Sequence, residues 1–313
     1  MIISEAVDTL SIPSSERGVP SLADQYRINV LALERSGAIS PVLSGKVGFY
    51  AEVGGKVIEC PLPSWQDVQG LIDRNRNLVE QKGEQGFNGL LLTPFLPYAQ
   101  WEHLIKLNLL RRNDQGKLFF ESRDKSQKER ATLDREQPIW TWDTLQAAAR
   151  GGGLIYFPKQ YNQSHHGGKT QAEVITDPTI CPVPGWSISL IETNHFLPKQ
   201  GEGKTLGGRK QLEDSQNPQE YLEVLKMPPY QRESSFTIDD ALSQFLIKLQ
   251  TRDEVTHDWN EYNGVWAIGN YEKGSGLVPY VGWLRDYRRL LVYADAPGYR
   301  YDLIGARPTV RLT

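Results

Sequence analysis

The sequence predicts a mixed α+β fold, and three observations carry that expectation. A few segments show a helical apolar stripe behind a capping residue. Short apolar runs bounded by glycine and proline lie between them. After about residue 255 no helical period is found at all. The bulk properties are those of a globular chain: 313 residues, 39% hydrophobic and 23% charged, with a formal net charge of -3. That balance offers no basic field for nucleic acid and no acidic excess that would imply disorder. Cys60 and Cys181 are the only cysteines. Two thiols build neither a disulfide framework nor a four-cysteine zinc site, so reduced cysteines and a cytoplasmic location are expected. The first fifteen residues include Glu5 and Asp8 and no long apolar run, unlike a secretory signal. No stretch approaches the roughly 18 apolar residues of a membrane span.

In chain order, residues 1–60 read as a polar lead followed by extended segments, with a hairpin over 45–57 turning at Gly54-Gly55. Ser64 opens a helix with Asp67 in capping-box position and Val68, Leu71, Ile72, Leu78 and Val79 on one face, ending at Gly83 and Gly86. Residues 89–93 (GLLLT) form a short strand. A second helix follows Pro97, with Trp101, Leu104, Ile105 and Leu109 as its stripe. Residues 117–121 read as a strand and 122–136 as an exposed loop or frayed helix. Strands are predicted over 139–142, 154–157 and 186–191. Asn217-Pro218 starts a helix carrying Tyr221, Leu222 and Leu225. Thr237, with Asp240 three residues on, starts another whose face is Ile238, Ala241, Leu242, Phe245, Leu246 and Leu249.

Motifs for catalysis fail on inspection. GEGKT at 201–205 and GGKT at 167–170 lack the first glycine of a phosphate-binding loop, Pro198 and Gln163 standing in its place. None of His103, His165, His166, His195 and His257 pairs with another at helical metal-ligand spacing, so no metal and no cofactor are expected. Asp239 and Asp240 suit a helix N-terminus, where the macrodipole favours negative charge. No nucleophile elbow is present. An enzyme with Glu192, His195, His165 and His166 in a cleft is the alternative reading, and a structural assembly component is a third.

The C-terminal composition is distinctive. Seven of the fourteen tyrosines lie between Tyr262 and Tyr301, interleaved with Arg285, Arg288, Asp286, Asp295, glycines and prolines. Tyrosine provides contact area at little rotamer entropy and arginine adds forked donors, so the mixture suits a recognition surface carried on loops.

Val278-Pro279, Trp283, Arg288 and the closing Gly305, Arg307, Val310 and Arg311 resemble the variable region of target proteins diversified by retroelements. Those proteins have a C-type-lectin-like fold related to formylglycine-generating enzymes. The segments 85–95 (QGFNGLLLTPF), 156–169 and 203–212 add to the resemblance, which spans roughly 62–312. It implies a C-type-lectin-like domain over 61–313 with a variable region at about 264–312, preceded by an extension or small strand-rich segment over 1–60. It further implies a rigid frame holding a solvent-facing patch altered by adenine-specific mutagenesis. The exposed, ligand-binding positions would be Asn270, Ser275, Leu277, Tyr280, Gly282, Leu284, Tyr287, Tyr293, Asp295, Tyr299 and Tyr301. Trp283, Arg288, Gly305 and Arg307 would belong to the frame. Glu272 and Lys273 depart from the family's pattern after Tyr271. The enzyme relatives use C-terminal cysteines, and this chain has none after Cys181, so oxidase activity is not expected. The function implied is non-catalytic binding of a protein or other macromolecule, with neither membrane nor nucleic acid as partner.

Overall fold

The computed structural model describes residues 19–121, 128–193, 196–261 and 263–313; His195, Tyr262, the lead up to residue 18 and residues 122–127 of the charged run lie outside them. The first element departs from expectation. Where extended chain was predicted, α1 (Leu22–Ser36) forms, capped by Ser21 accepting from the Asp24 amide and closed by Gly37 at φ 82°. Both are ordinary helix boundary signals and both are visible in the sequence. β1 (Ser40–Pro41), β2 (Val47–Val53) and β3 (Lys56–Pro61) then make an antiparallel sheet in that order. Gly54 and Gly55 turn the predicted hairpin with φ 58° and 76°, a conformation open to glycine.

The helix opened by Ser64 has its capping box but is two helices, α2 (Trp65–Arg74) and α3 (Arg76–Glu84), broken at Asn75. The Asn75 amide donates to the Leu71 and Thr313 carbonyls and leaves α3 without a side-chain cap. β4 (Gly89–Pro94) and α4 (Tyr98–Asp114) follow as read, and the next strand shrinks to β5 (Phe119–Phe120). β6 (Ile139–Thr141) runs into α5 (Asp143–Arg150), and β7 (Leu154–Tyr156) precedes α6 (Gln171–Thr176). Neither helix was expected, because so few turns show too little of an apolar stripe to reveal the period. The Thr170–Glu173 capping box of α6 was nevertheless legible.

The remaining elements are β8 (Trp186–Ile191), β9 (Thr205–Leu206), β10 (Arg209–Lys210), α7 (Pro218–Val224), β11 (Ser234–Ser235) and α8 (Ile238–Arg252). The C-terminal part adds β12 (Glu254–Val255), β13 (Gly264–Trp266), β14 (Asn270–Glu272), β15 (Val278–Leu284), β16 (Arg289–Asp295), β17 (Ile304–Ala306) and β18 (Pro308–Arg311). The architecture is therefore mixed α+β with several small sheets.

Two sheets matter for the site. One has the order β11-β18-β8-β4, the other β17-β13-β15-β16-β6. α8 packs against both, touching β4 of the first and β15 of the second, with α1 and α4 beside it. Its apolar side chains join Leu33, Phe49, Trp101, Trp186, Trp283 and Val292 in one buried cluster, so α1 and the first hairpin share the core of the C-terminal strands.

Being enclosed, α8 must satisfy its polar groups inside the protein. Asp240 accepts from Thr93 Oγ1 at 2.8 Å and from Arg311 Nη2 at 2.6 Å. Asp239 accepts from Trp101 Nε1 at 2.9 Å, and Ser243 Oγ donates to the Leu92 carbonyl at 2.8 Å. The two aspartates do occupy the predicted helix N-terminus, but as buried ties between elements.

Candidate functional site

Strand period separates two roles on the five-stranded sheet. On β15 and β16, Val281 and Trp283 pair with Val292 and Leu290, and all four enter the core beneath the sheet. The alternate residues point to the other face: Tyr280 opposite Tyr293, Gly282 opposite Leu291, Leu284 opposite Arg289, and Val278 opposite Asp295. There Val278, Tyr280 and Trp266 join a second buried cluster with Ile155, Tyr221 and Ile304. Trp266 of β13 lies opposite Tyr280, and Trp140 of β6 lies beside Leu291.

The outer face is a continuous field of rings. Tyr293 stacks on Trp140 at 5.5 Å between centroids and meets Trp142 at 4.3 Å. Tyr280 contacts Tyr293 at 5.5 Å, Trp266 at 4.9 Å, Trp259 at 5.7 Å and Tyr301 at 5.4 Å. Tyr299 extends the field from Tyr301 at 4.7 Å. Trp259 is supplied by a 3-10 turn over Trp259–Glu261, and Tyr299 and Tyr301 by the loop leading into β17. Trp140, Trp142, Trp259, Tyr293 and Tyr301 are half-buried, so the field presents ring surface to solvent while its floor is sealed. Burial pushes the Tyr280 phenol up, and Tyr301 is pushed up to about 12 by burial with Asp295 adding to the shift. Both hydroxyls are therefore protonated at neutral pH. Tyr301 Oη donates to Asp295 Oδ2 at 2.8 Å.

Five of the eleven expected positions, Tyr280, Gly282, Leu284, Tyr293 and Asp295, lie on this outer face, and Tyr299 and Tyr301 flank it. Tyr287 stands in the β15–β16 turn with 57% of its surface exposed. Ser275 is exposed and Leu277 half-buried in the β14–β15 connection.

Three of the eleven are buried rather than exposed. Asn270 is fully enclosed, its Oδ1 accepting from the Ile238 amide at 2.7 Å at the start of α8, which makes it a frame residue. Tyr280 is the floor beneath the surrounding rings. Gly282 lies under Trp259, whose Cε3 stands 3.6 Å from where a Cβ would be.

Among the expected frame residues, Trp283 is buried and meets Phe120 edge-on at 6.4 Å. Gly305 sits at a close approach, since a Cβ would lie 2.7 Å from Leu197 Cδ1 and 3.2 Å from the Asp214 Cα. Arg307 is buried with Nη2 on Asn263 Oδ1 at 2.7 Å. Arg288 differs: its side chain is exposed, and it serves the frame through its backbone, at φ 55° with its carbonyl accepting from the Asp134 amide.

The sequence reading missed Trp140, Trp142, Trp259, Trp266 and Leu291. Trp140 and Trp142 lie about 150 residues before Tyr293 in the chain, and only the parallel pairing of β6 with β16 brings them there. Leu291 could have been found by extending the period-2 pattern from Tyr293.

The segments that resemble phosphate loops are used otherwise. The amides of Gly201 and Gly203 donate to the Glu213 carboxylate at 3.1 and 2.6 Å. Thr170 caps α6, and Lys169 pairs with Asp177 at 3.1 Å. Glu192 is buried against Arg209 at 2.7 Å, and desolvation raises its pKa, whereas His165 is exposed on a loop. Among the described residues no three His, Cys, Asp or Glu side chains are grouped to hold a metal ion, and no helix is long and apolar enough to cross a membrane.

Together these features define an α+β protein whose second sheet lays one face on the main core and carries on the other a second aromatic cluster, half-buried at Trp140, Trp142, Trp259, Tyr293 and Tyr301. Comparison of the chain with protein-family models, with curated proteins and with solved structures finds no match to any of them.

Proposed function

We propose that this chain is a non-catalytic recognition protein that grips a macromolecular ligand through the outer face of the β17-β13-β15-β16-β6 sheet. One observation supports the reading above all: β15 and β16 send Val281, Trp283, Leu290 and Val292 into the core and Tyr280, Leu284, Leu291, Tyr293 and Asp295 the other way. Contacts at Leu284, Leu291 and Asp295 can then change without touching the main core under the strands, while Tyr280 stays as the buried floor. An aromatic face carried on a sheet, with its rings half-buried, suits a macromolecule better than a small molecule, which needs a concavity to enclose it.

The resemblance to retroelement-diversified, C-type-lectin-like proteins belongs to the same proposal, and the period-2 split is what such diversification requires. Sequencing the last part of this gene across a cell population tests it. Adenine-linked substitutions are expected at Ser275, Leu277, Leu284, Tyr287, Tyr293, Asp295, Tyr299 and Tyr301. Val281, Trp283, Leu290 and Val292 stay constant, and Asn270, buried at the α8 cap, varies least of the eleven positions. A uniform low substitution rate along the segment would remove the retroelement link.

A further inference from the structure

The charge of the outer face selects among macromolecular partners. Two of its residues have ionisable side chains of opposite sign, Arg289 and Asp295. Arg289 is already neutralised by Asp134, with Nη2 to Oδ2 at 2.9 Å. The arginines at its borders are tied in the same way. Arg285 holds Asp258 at 2.6 Å and Glu129 at 2.8 Å, and Arg300 holds Glu220.

Asp295 is different. Its Oδ1 accepts from the Ala296 amide at 2.7 Å and its Oδ2 from Tyr301 Oη at 2.8 Å, and among the described residues no cation is paired with it. It is half-buried, and its charge acts on Tyr280, Tyr293 and Tyr301. A carboxylate has about four lone-pair sites, so acceptor capacity remains after those two bonds. The surrounding ring faces are themselves electronegative. Arg288, the exposed cation of the β15–β16 turn, lies seven residues along the strand from Asp295, roughly 20 Å at about 3.3 Å per residue.

We infer that the face receives a basic segment of a partner protein, with a lysine or arginine laid over the Tyr293 and Trp142 rings and its cation paired to Asp295. This rests on the recognition reading above and adds the partner's chemistry to it. Phosphate-bearing partners meet an uncompensated negative charge here. A neutral apolar partner would strip water from Asp295 and return nothing for it. A cation meets both the carboxylate and the ring quadrupoles.

The test is selection of a displayed random dodecapeptide library on the immobilised full chain, in parallel with Asp295→Asn, Tyr301→Phe and Tyr293→Ala. Peptides recovered on the unaltered chain and on Tyr301→Phe are expected to be enriched in lysine and arginine, and that enrichment disappears on Asp295→Asn. Individual basic peptides should bind Asp295→Asn about threefold to tenfold more weakly, the range for one partly exposed charge pair with a cation–ring contact. Equal enrichment of basic residues on Asp295→Asn overturns the inference. So does a loss on Tyr301→Phe as large as on Asp295→Asn, since Asp295 would then act only by holding Tyr301. If no recovered peptide depends on Tyr293, the recognition reading itself fails, and the inference fails with it.

Discussion

Replacing Trp283 with alanine is expected to lower the unfolding free energy by about 3–5 kcal/mol, the usual loss for a buried tryptophan. The side chain is fully enclosed in the core under β15 and touches Phe120. Its indole nitrogen has no hydrogen-bond partner among the described residues, so Trp283→Phe should cost much less than Trp283→Ala. Tyr287→Ala, at an exposed turn position four residues further on, should stay within about 0.5 kcal/mol of the unaltered protein. Tyr293 falls between them. From the sequence it was expected to stand free in solvent, but it is half-buried against Trp140 and Trp142, and removing its ring should cost about 1–2 kcal/mol. Urea unfolding of the four variants reads all of this directly. A Tyr287→Ala loss as large as that of Trp283→Ala would show that the division between frame and contact residues is wrong.

The second large effect is a change in how stability depends on pH. Asp239 is enclosed at the start of α8, and burial pushes its carboxyl up to about 7. An unfolded aspartate titrates near 3.9, so the native state holds the extra proton across the window between those values. Its contribution to stability is present below pH 4 and is lost as pH rises through 7, by about 4 kcal/mol in all. His257 has the opposite sign. It is buried with Nε2 against the Ala241 carbonyl, and burial pushes it down to about 3. The unfolded chain binds that proton up to about pH 6.5, so this group's contribution grows with pH over nearly the same window.

The two slopes oppose one another between about pH 4 and pH 6.5. Asp239→Asn keeps an acceptor for Trp101 Nε1 and removes one of them. The variant is then expected to gain stability relative to the unaltered chain as pH rises from 4 to 7, by up to about 4 kcal/mol. Denaturant titrations at pH 4.5 and 7.5 measure the difference. Parallel pH profiles for the two proteins would show that Asp239 is ionised in the fold at neutral pH.

Much of the local structure was legible because its causes are local. The Ser64–Asp67 and Thr237–Asp240 capping boxes, the Gly54-Gly55 turn and the apolar stripe of α8 announce themselves within a few residues and are present as read. α1 is equally legible from Ser21 and Gly37, its boundary residues, although the polar sequence around it reads as a lead into strands. α5 and α6 have only eight and six residues, lengths at which helical and extended periods look alike.

In the last strands, the sequence by itself determined which residues share a face, but not which of them reach solvent, as buried Asn270, Tyr280 and Gly282 show. Side chains alternate along a strand, and the tyrosines and Asp295 fall on one beat while Val281, Trp283 and Val292 fall on the other. Only the tertiary structure decided which way each beat faces and what gathers around it. α8 covers one face of the sheet. The parallel pairing of β6 with β16 brings Trp140 and Trp142 to the other, and Trp259 closes over Gly282. Those pairings join segments far apart in the chain, and a strand's own residues record its alternation but not its neighbour.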